Sequence, residues 1–201
     1  MKIGPKFKIA KRLGAPIFPK TQTAKFALSE EKAGRLKKRR GNMSDYNRRL
    51  IEKQKMRFTY GISEKHLRRY VDEAIAKSQQ PIAHLMERLE SRLDNVVFRM
   101  GIAKSRQQSR QMVSHGHVVV NGKKITSPSH KVRPNDQISI REGSKQIGLL
   151  TNITEEHAPQ AVPGWLKFDL KSMTGTVASA PAHDPTESMF DPEQVLEYYS
   201  R

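Results

Sequence analysis

SRQQSRQMVSHGHVVVNGKKI, residues 105–125, decides the fold of this chain. It reads as a short basic helix, a glycine stop and a tight β-hairpin. The Ser105 hydroxyl suits an N-cap, because it can accept a bond from an orphan N–H of the first helical turn. Gly116 suits the stop, because it enters the left-handed region without a Cβ penalty. Asn121-Gly122, set between VVV and KKI, signals a two-residue hairpin turn. Arg106 and Arg110 are four apart and project from one helix face. A cationic helix face beside a small rigid hairpin suits a phosphate backbone. The same pattern also fits nothing more than a solvated charged face on a helix–hairpin unit, so the rest of the chain must decide.

The charge is distributed unevenly along the 201 residues. Residues 1–70 hold 21 Lys/Arg against 5 Asp/Glu, residues 71–150 hold 13 against 7, and residues 151–201 hold 3 against 8. A chain that is this basic at its N-terminal end and acidic at its C-terminal end expects a polyanion at the basic end. Nucleic acid and an anionic membrane are the obvious candidates. No apolar run is long enough for a transmembrane helix, and the basic N-terminus lacks the apolar stretch of a secretory signal. With no cysteine there is no disulfide and no cysteine–zinc site, which fits a cytosolic protein. Residues 99–125 contain no Phe, Tyr or Trp. A nucleic-acid contact there must therefore read backbone and shape rather than stacked bases.

Around the opening segment the pattern gives an order of elements. Residues 1–42 read as a basic arm, broken by Pro5, Gly14, Pro16 and Pro19, carrying the run LKKRR and expected to become ordered on its partner. Ser44 caps a helix that runs to about Tyr60, and Ser63 caps a second, with Leu67, Val71, Ala74 and Ile75 on its apolar stripe and Tyr70 at the edge. A third, single helix is expected from about Ile82 to Met100, burying Leu85, Leu89, Leu93, Val96 and Met100. Beyond the hairpin, Pro134-Asn135-Asp136 marks a turn and Gln137 to Arg141 alternates as a strand. One or two more strands are plausible over 145–154, followed by an acidic loop over 155–164. Trp165, Leu166 and Phe168 read as a core plug. Residues 178–192 read as a loop, and Asp191-Pro192 opens a last helix. The domains expected are the arm, residues 1–42; a helical domain, residues 43–90, on which the C-terminal helix 191–201 packs; and residues 91–190, the helix–hairpin module with a β-rich extension.

Catalytic patterns are lacking. His115-x-His117 is the only close histidine pair; it straddles a glycine stop with no evident third ligand, so a helix-end histidine bonded to carbonyls or phosphate fits better than a metal site. Glu155 and Glu156 are adjacent and do not make a catalytic pair by spacing. There is no P-loop and no nucleophile elbow.

LDNVVFRMGIAKSRQQSRQMVSHGHVVVNGKKI, residues 93–125, closely resembles the RNA-binding module of the ribosomal protein S-four family. The module also occurs in pseudouridine synthases, a heat-shock RNA-binding protein and tyrosyl-tRNA synthetases, so alone it implies structured RNA. The flanks narrow it. GPKFKIAKRLG (4–14), EKQKMR (52–57), YGISEKHLRRYV (60–71), PGWLKFD (163–169) and EYYSR (197–201) resemble the ribosomal family in the right order. Phe7 stands where many relatives carry the first of their cysteines, so the chain looks like a zinc-free member.

The resemblance implies an α+β fold with a basic arm, a helical domain and a helix-turn-helix/β-hairpin module with a small antiparallel sheet. It implies a structural, cytoplasmic, non-enzymatic protein with no cofactor and no metal. Such a protein binds the 5′ domain of small-subunit ribosomal RNA, nucleates assembly of the subunit body, touches neighbouring small-subunit proteins, borders the region where mRNA enters and influences decoding accuracy. Carried over by position, Lys104, Ser105, Arg106, Ser109, Arg110 and Gln111 form the RNA-facing helix, His115, Gly116 and His117 its turn, and Asn121, Gly122 and Lys123 its hairpin. Arg12, Lys37, Lys38, Arg39, Arg40, Arg48, Arg49, Lys53, Lys55, Arg57, Arg68 and Arg69 are the further cations expected to reach RNA. A-form RNA hides its major-groove edges, so phosphates, 2′-hydroxyls and shape are what Arg, Ser and Gln can read.

Three other readings remain at this point. A modifying enzyme with the same module needs a separate catalytic domain, for which the segments outside the module are short. A DNA-binding regulator could use residues 91–116 as a helix-turn-helix. A membrane-surface peptide needs a strong apolar face, which the arm lacks.

Overall fold

The structure, a computed structural model, describes residues 3–29, 43–144, 162–169, 172–182 and 188–200. The fold is α+β and divides into two compact units, the first made of residues 1–82 with 184–201 and the second of residues 83–183.

In the first unit, α1 (Lys6–Leu13) ends at Gly14 with φ 64°. A 3₁₀ turn over Pro19–Thr21 follows. The expected helix breakers work as read, yet this stretch of the arm is packed. Ala10, Phe18 and Phe26 form a small cluster with Phe58, and Leu13, Ala15 and Ile17 form another with Ile51 and Phe58. Few apolar residues suffice because Gly14 folds the segment back on itself.

Next come α2 (Asp45–Thr59) and α3 (Glu64–Lys77), capped by Ser44 and Ser63 as their sequences announce: each hydroxyl accepts from a backbone N–H three residues on, at 3.4 Å. The inward stripe of α3 is Leu67, Tyr70, Val71 and Ala74, all fully buried, whereas Ile75 is largely exposed. Positions 67, 70, 71 and 74 follow the i, i+3, i+4, i+7 rule, which puts Tyr70 at the centre of the stripe and leaves Ile75 outside it. The last helix of the chain, α7 (Pro192–Tyr199), starts with Asp191 accepting from the Glu193 N–H at 2.9 Å and with Pro192 at its first position. It packs along α2.

The second unit departs from expectation at its start. In place of one helix from 82 to 100 there are two, α4 (Pro81–Glu90, the second unit beginning at Ala83) and α5 (Leu93–Arg99). Residues 91–94 turn away from the helical ladder to bond with 128–132: Leu93 N–H to His130 O at 2.9 Å, Asp94 N–H to Pro128 O at 3.2 Å, and Val132 N–H to Ser91 O at 2.9 Å. Arg92, extended at ψ 134°, bridges Lys131. Leu85, Leu89, Leu93, Val96 and Met100 are all buried, so the apolar period continues across the break and hides it.

After α6 (Arg106–His115) come β1 (Val118–Val120), β2 (Lys123–Lys124) and β3 (Gln137–Ile140), then β4 (Leu166–Asp169) and β5 (Thr174–Val177). They form one antiparallel sheet in the order β2-β1-β3-β5-β4. β4 and β5 are a finding: Trp165 and Leu166 are buried as expected of a core plug, but LKFD is itself a strand, and TGTV carries too little apolar pattern to announce its partner. Gly175 in β5 leaves room for the Met100 side chain beyond the end of α5. Leu93, Val96, Val97, Met100, Met112, Val113, Val118, Ile138, Ile140, Trp165 and Val177 make one core under the sheet. The strands expected over 145–154, and Glu155 and Glu156, lie outside the described residues.

Candidate nucleic-acid interface

The opening segment folds as its residues dictate. Ser105 Oγ accepts the Gln108 N–H at 3.2 Å, and Gln108 Oε1 in turn accepts the Lys104 N–H at 2.9 Å. Gly116 has φ 76°, and its N–H and that of His117 close the helix on Val113 and Met112. Asn121 and Gly122 have φ 49° and 76°, the two positive angles of a primed turn, with Val120 opposite Lys123. The hairpin is also tied from outside. The Asn121 side chain donates to Asp136 Oδ1 at 2.7 Å and accepts the Gln137 N–H at 2.8 Å, so it holds the turn to β3.

The solvent side of this unit carries Lys104, Gln107, Gln111, Ser114 and His115 on or before α6, and Gly122, Lys123 and Lys124 on the hairpin, all exposed. Lys124 lies across Gly116, where a Cβ would collide with its side chain. Lys124, Lys131, Arg133 and Arg141 are exposed cations that the sequence reading passed over; the doubled lysine after Asn-Gly was the available signal for the first. His115 and His117 stand with ring centres 5.9 Å apart, and His117 Nδ1 lies 3.0 Å from Ser144 Oγ. Among the described residues no group of three metal-ligating side chains is gathered.

Beneath α6 lies a buried ionic layer that periodicity alone did not suggest. Asp94 receives Arg92 through Nε at 3.0 Å and Nη2 at 2.6 Å, with Arg110 Nη1 3.7 Å away. Glu90 receives Arg99 through Nε at 3.1 Å and Nη2 at 3.2 Å. Asn95 donates to Glu90 Oε2 at 2.8 Å and accepts Arg106 Nε–H at 2.8 Å. Arg106 also lies over the Phe98 ring, 4.5 Å from its centre. Arg106 and Arg110 are half-buried at the rim of this layer. Ser109, placed by resemblance on the RNA-facing helix, points inward instead: it is fully buried and donates to the Asp94 carbonyl.

In the first unit the expected cations divide by environment. Arg12, Arg48, Arg68 and Arg69 are exposed. Arg48 and Arg68 have loose partners in Asp45 and Asp72, at 3.9 and 4.0 Å. Lys53 is 4% exposed, 2.8 Å from Glu64 and over the Tyr198 ring at 4.2 Å, so it has no surface to offer a polyanion. Arg49 reaches Glu197 at 2.7 Å, Lys55 reaches Glu52 at 2.7 Å, and Arg57 lies 3.8 Å from Glu64. Lys53 and Arg57 tie α2 to α3 and Arg49 ties it to α7, whereas the Lys55–Glu52 pair lies within α2. Burial alone would raise the Glu64 carboxyl, but hydrogen bonds from Lys53 and Tyr199 and the charges of Lys53 and Arg57 bring it below its ordinary value. Burial and the bond to Glu64 push the Tyr199 phenol up. Lys37, Lys38, Arg39 and Arg40 lie outside the described residues.

A capped basic helix, a left-handed glycine stop and a primed-turn hairpin on an antiparallel sheet define a class, the S4 domain, an RNA-binding module; the family model of that name matches residues 91–138. The model of the ribosomal protein S4/S9 N-terminal domain matches residues 1–114. The chain is 39% identical over 202 residues to the small ribosomal subunit protein uS4 of Persephonella marina, covering 98% of both chains. It is 39% identical over 204 residues to that of Chromobacterium violaceum and 37% identical over 206 residues to that of Aquifex aeolicus, each covering 99% of this chain and 98% of the relative. The chain belongs to the ribosomal protein S4 family, whose members are structural, non-enzymatic, ribosomal-RNA-binding components of the small subunit.

Proposed function

We propose that this chain is a cytoplasmic constituent of the small ribosomal subunit that binds the 5′ domain of its ribosomal RNA, nucleates assembly of the subunit body and touches neighbouring subunit proteins and mRNA where it enters, with an influence on decoding accuracy. The observation that carries the RNA reading is the α6–hairpin surface. It combines exposed Lys104, Lys123 and Lys124 with Arg106 and Arg110 at the rim and carries no Phe, Tyr or Trp. Such a surface suits phosphates and 2′-hydroxyls along a structured RNA. Gln111, Ser105, His115 and His117 supply polar contacts, and Asn121 and Gly122 hold the hairpin that presents Lys123. Arg12, Arg48, Arg68 and Arg69, with the run from Lys37 to Arg40, extend the electrostatic contribution. The division of labour is a basic arm over 1–42, a helical part over 43–90 completed by 191–201, and an RNA-reading part over 91–190.

The test is binding of the full chain to a 5′-domain RNA fragment at several salt concentrations, with unrelated duplex RNA and duplex DNA as competitors. Arg106→Ala/Arg110→Ala is expected to weaken binding while circular dichroism stays unchanged; each charged hydrogen bond removed is worth roughly 1.5–3 kcal/mol. Unchanged affinity with an unchanged fold would remove α6 from the interface, and preference for duplex DNA would overturn the RNA reading. Co-sedimentation with small subunits through a high-salt wash tests the assembly.

A further inference from the structure

Asn95 is 1% exposed, on α5, and touches no solvent-facing surface. Its amide nevertheless lies between a buried acid and an arginine of the candidate interface. Nδ2 donates to Glu90 O at 3.1 Å and to Glu90 Oε2 at 2.8 Å, and Oδ1 accepts the Arg106 Nε–H at 2.8 Å. The chemistry fixes the amide's orientation, because ionised Glu90 can only accept and Arg106 can only donate. A carboxylate at 95 would face Glu90 with like charge, and an aliphatic side chain would satisfy neither neighbour. A neutral group that accepts on one side and donates on the other is what the position needs. Arg99 anchors the far side of Glu90 through two bonds, and the Phe98 ring backs the Arg106 guanidinium.

We propose that Asn95 is a positioning residue for RNA recognition: it relays the fixed geometry of Glu90 to Arg106 and holds that guanidinium in one orientation before RNA arrives. This rests on the reading of α6 as an RNA-facing helix. An arginine held in this way loses less conformational freedom on binding than one on a mobile stem, and its planar fork meets phosphate in a defined geometry.

The experiment is a double-mutant cycle of Asn95→Ala and Arg106→Ala in the full chain, read as affinity for the 5′-domain RNA fragment. Asn95→Ala is expected to weaken binding about ten-fold, the scale of one charge-assisted contact. In the Arg106→Ala background the same change is expected to cost less than about two-fold, because coupled residues are not additive. An equal factor in both backgrounds would mean that Asn95 acts only through general stability, and would overturn the proposal alone. Undiminished affinity of Arg106→Ala would overturn the proposal, and undiminished affinity of Arg106→Ala/Arg110→Ala would overturn the α6 reading with it. Exchange of the Arg106 Nε proton, followed by NMR in the RNA-free wild-type chain, needs no variant to fold. It is expected to be at least about ten-fold slower than that of Arg68, whose side chain is 73% exposed. Equal exchange rates would overturn the proposal.

Discussion

Asp94→Ala tests the ionic layer beneath α6 directly. Arg92 and Asp94 are 1% and 3% exposed and bonded through two nitrogens at 3.0 and 2.6 Å. Removing the carboxylate leaves the Arg92 guanidinium buried beside Arg110 with its acid gone. Breaking such a pair from one side typically costs about 3–5 kcal/mol, more than a surface ion pair ever contributes. The chain has a single tryptophan, Trp165, buried in the core of the second unit, so its fluorescence in a urea titration reports that unit. With a urea slope of about 1–3 kcal/mol/M, the Trp165 midpoint should fall by at least about 1 M. Since the pair is shielded from solvent, the loss should change little between low and high salt. Arg92→Met/Asp94→Leu removes both charges and should lose less than Asp94→Ala alone, because no buried ion is then left uncompensated. A single-variant loss below about 1 kcal/mol, or a double variant weaker than the single, would show that this layer is not held by the pairing described.

Further expectations follow from the turn, the first unit and the arm. Gly122→Val should lower second-unit stability and RNA affinity while Gly122→Asn stays mild, because φ is 76° there; equal tolerance in thermal melts would exclude the primed turn. Glu64 titrates lower in the fold than when unfolded, so its contribution is present above the ordinary carboxylate range and is lost as pH falls through the folded value. Tyr199 titrates higher, so its contribution is present below about pH 10 and is lost at more alkaline pH. Glu64→Gln should flatten the acid limb of first-unit stability, measured by near-ultraviolet circular dichroism, and an unaltered limb would contradict the assignment. Deleting residues 2–41 should uncover Phe58 and Ile51 and destabilise the first unit, and should reduce the salt slope of RNA binding by about 0.7–0.9 for each phosphate that the arm neutralises. An identical slope would mean that the arm meets no phosphate.

What the sequence showed and what it hid follow from the range of the interactions involved. Ser44, Ser63, Ser105 and Asp191 act on N–H groups two or three residues away, so each helix start was legible, as were Gly116 and Asn121-Gly122. The break at Ser91-Arg92 was not, because its cause lies in partners at 128–132 and the apolar period runs through it undisturbed. Tyr70 and Ile75 exchange places because a hydroxyl-bearing ring suits the edge of a stripe, whereas its helical phase puts it at the centre. Among the candidate contacts, charge alone could not separate Arg68, which faces solvent, from Lys53, which is enclosed by Glu64 and Tyr198. Ser109 looked like an RNA contact by resemblance, yet the Asp94 carbonyl takes its proton. Glu90, Asp94 and Asn95 gave no sign of the ionic layer they form, because they meet Arg99, Arg110 and Arg106 at 9 to 16 positions further along, and only Arg92 lies close to Asp94 in sequence.

The packing of α7 along α2 has a consequence for synthesis. The second unit is one uninterrupted stretch and has all of its own strands and helices as soon as residue 183 has been made. The first unit is split, and Lys53 and Glu64 wait for Tyr198 and Tyr199, translated more than a hundred residues later. At about 5–20 residues per second, the interval between α3 and α7 lasts on the order of 6–24 s, long compared with the folding of a helix. During that time α2 shows an apolar face and a lysine without its lid. The second unit is thus finished while the first is still incomplete, and α7 closes the first unit only after residue 199 has been made.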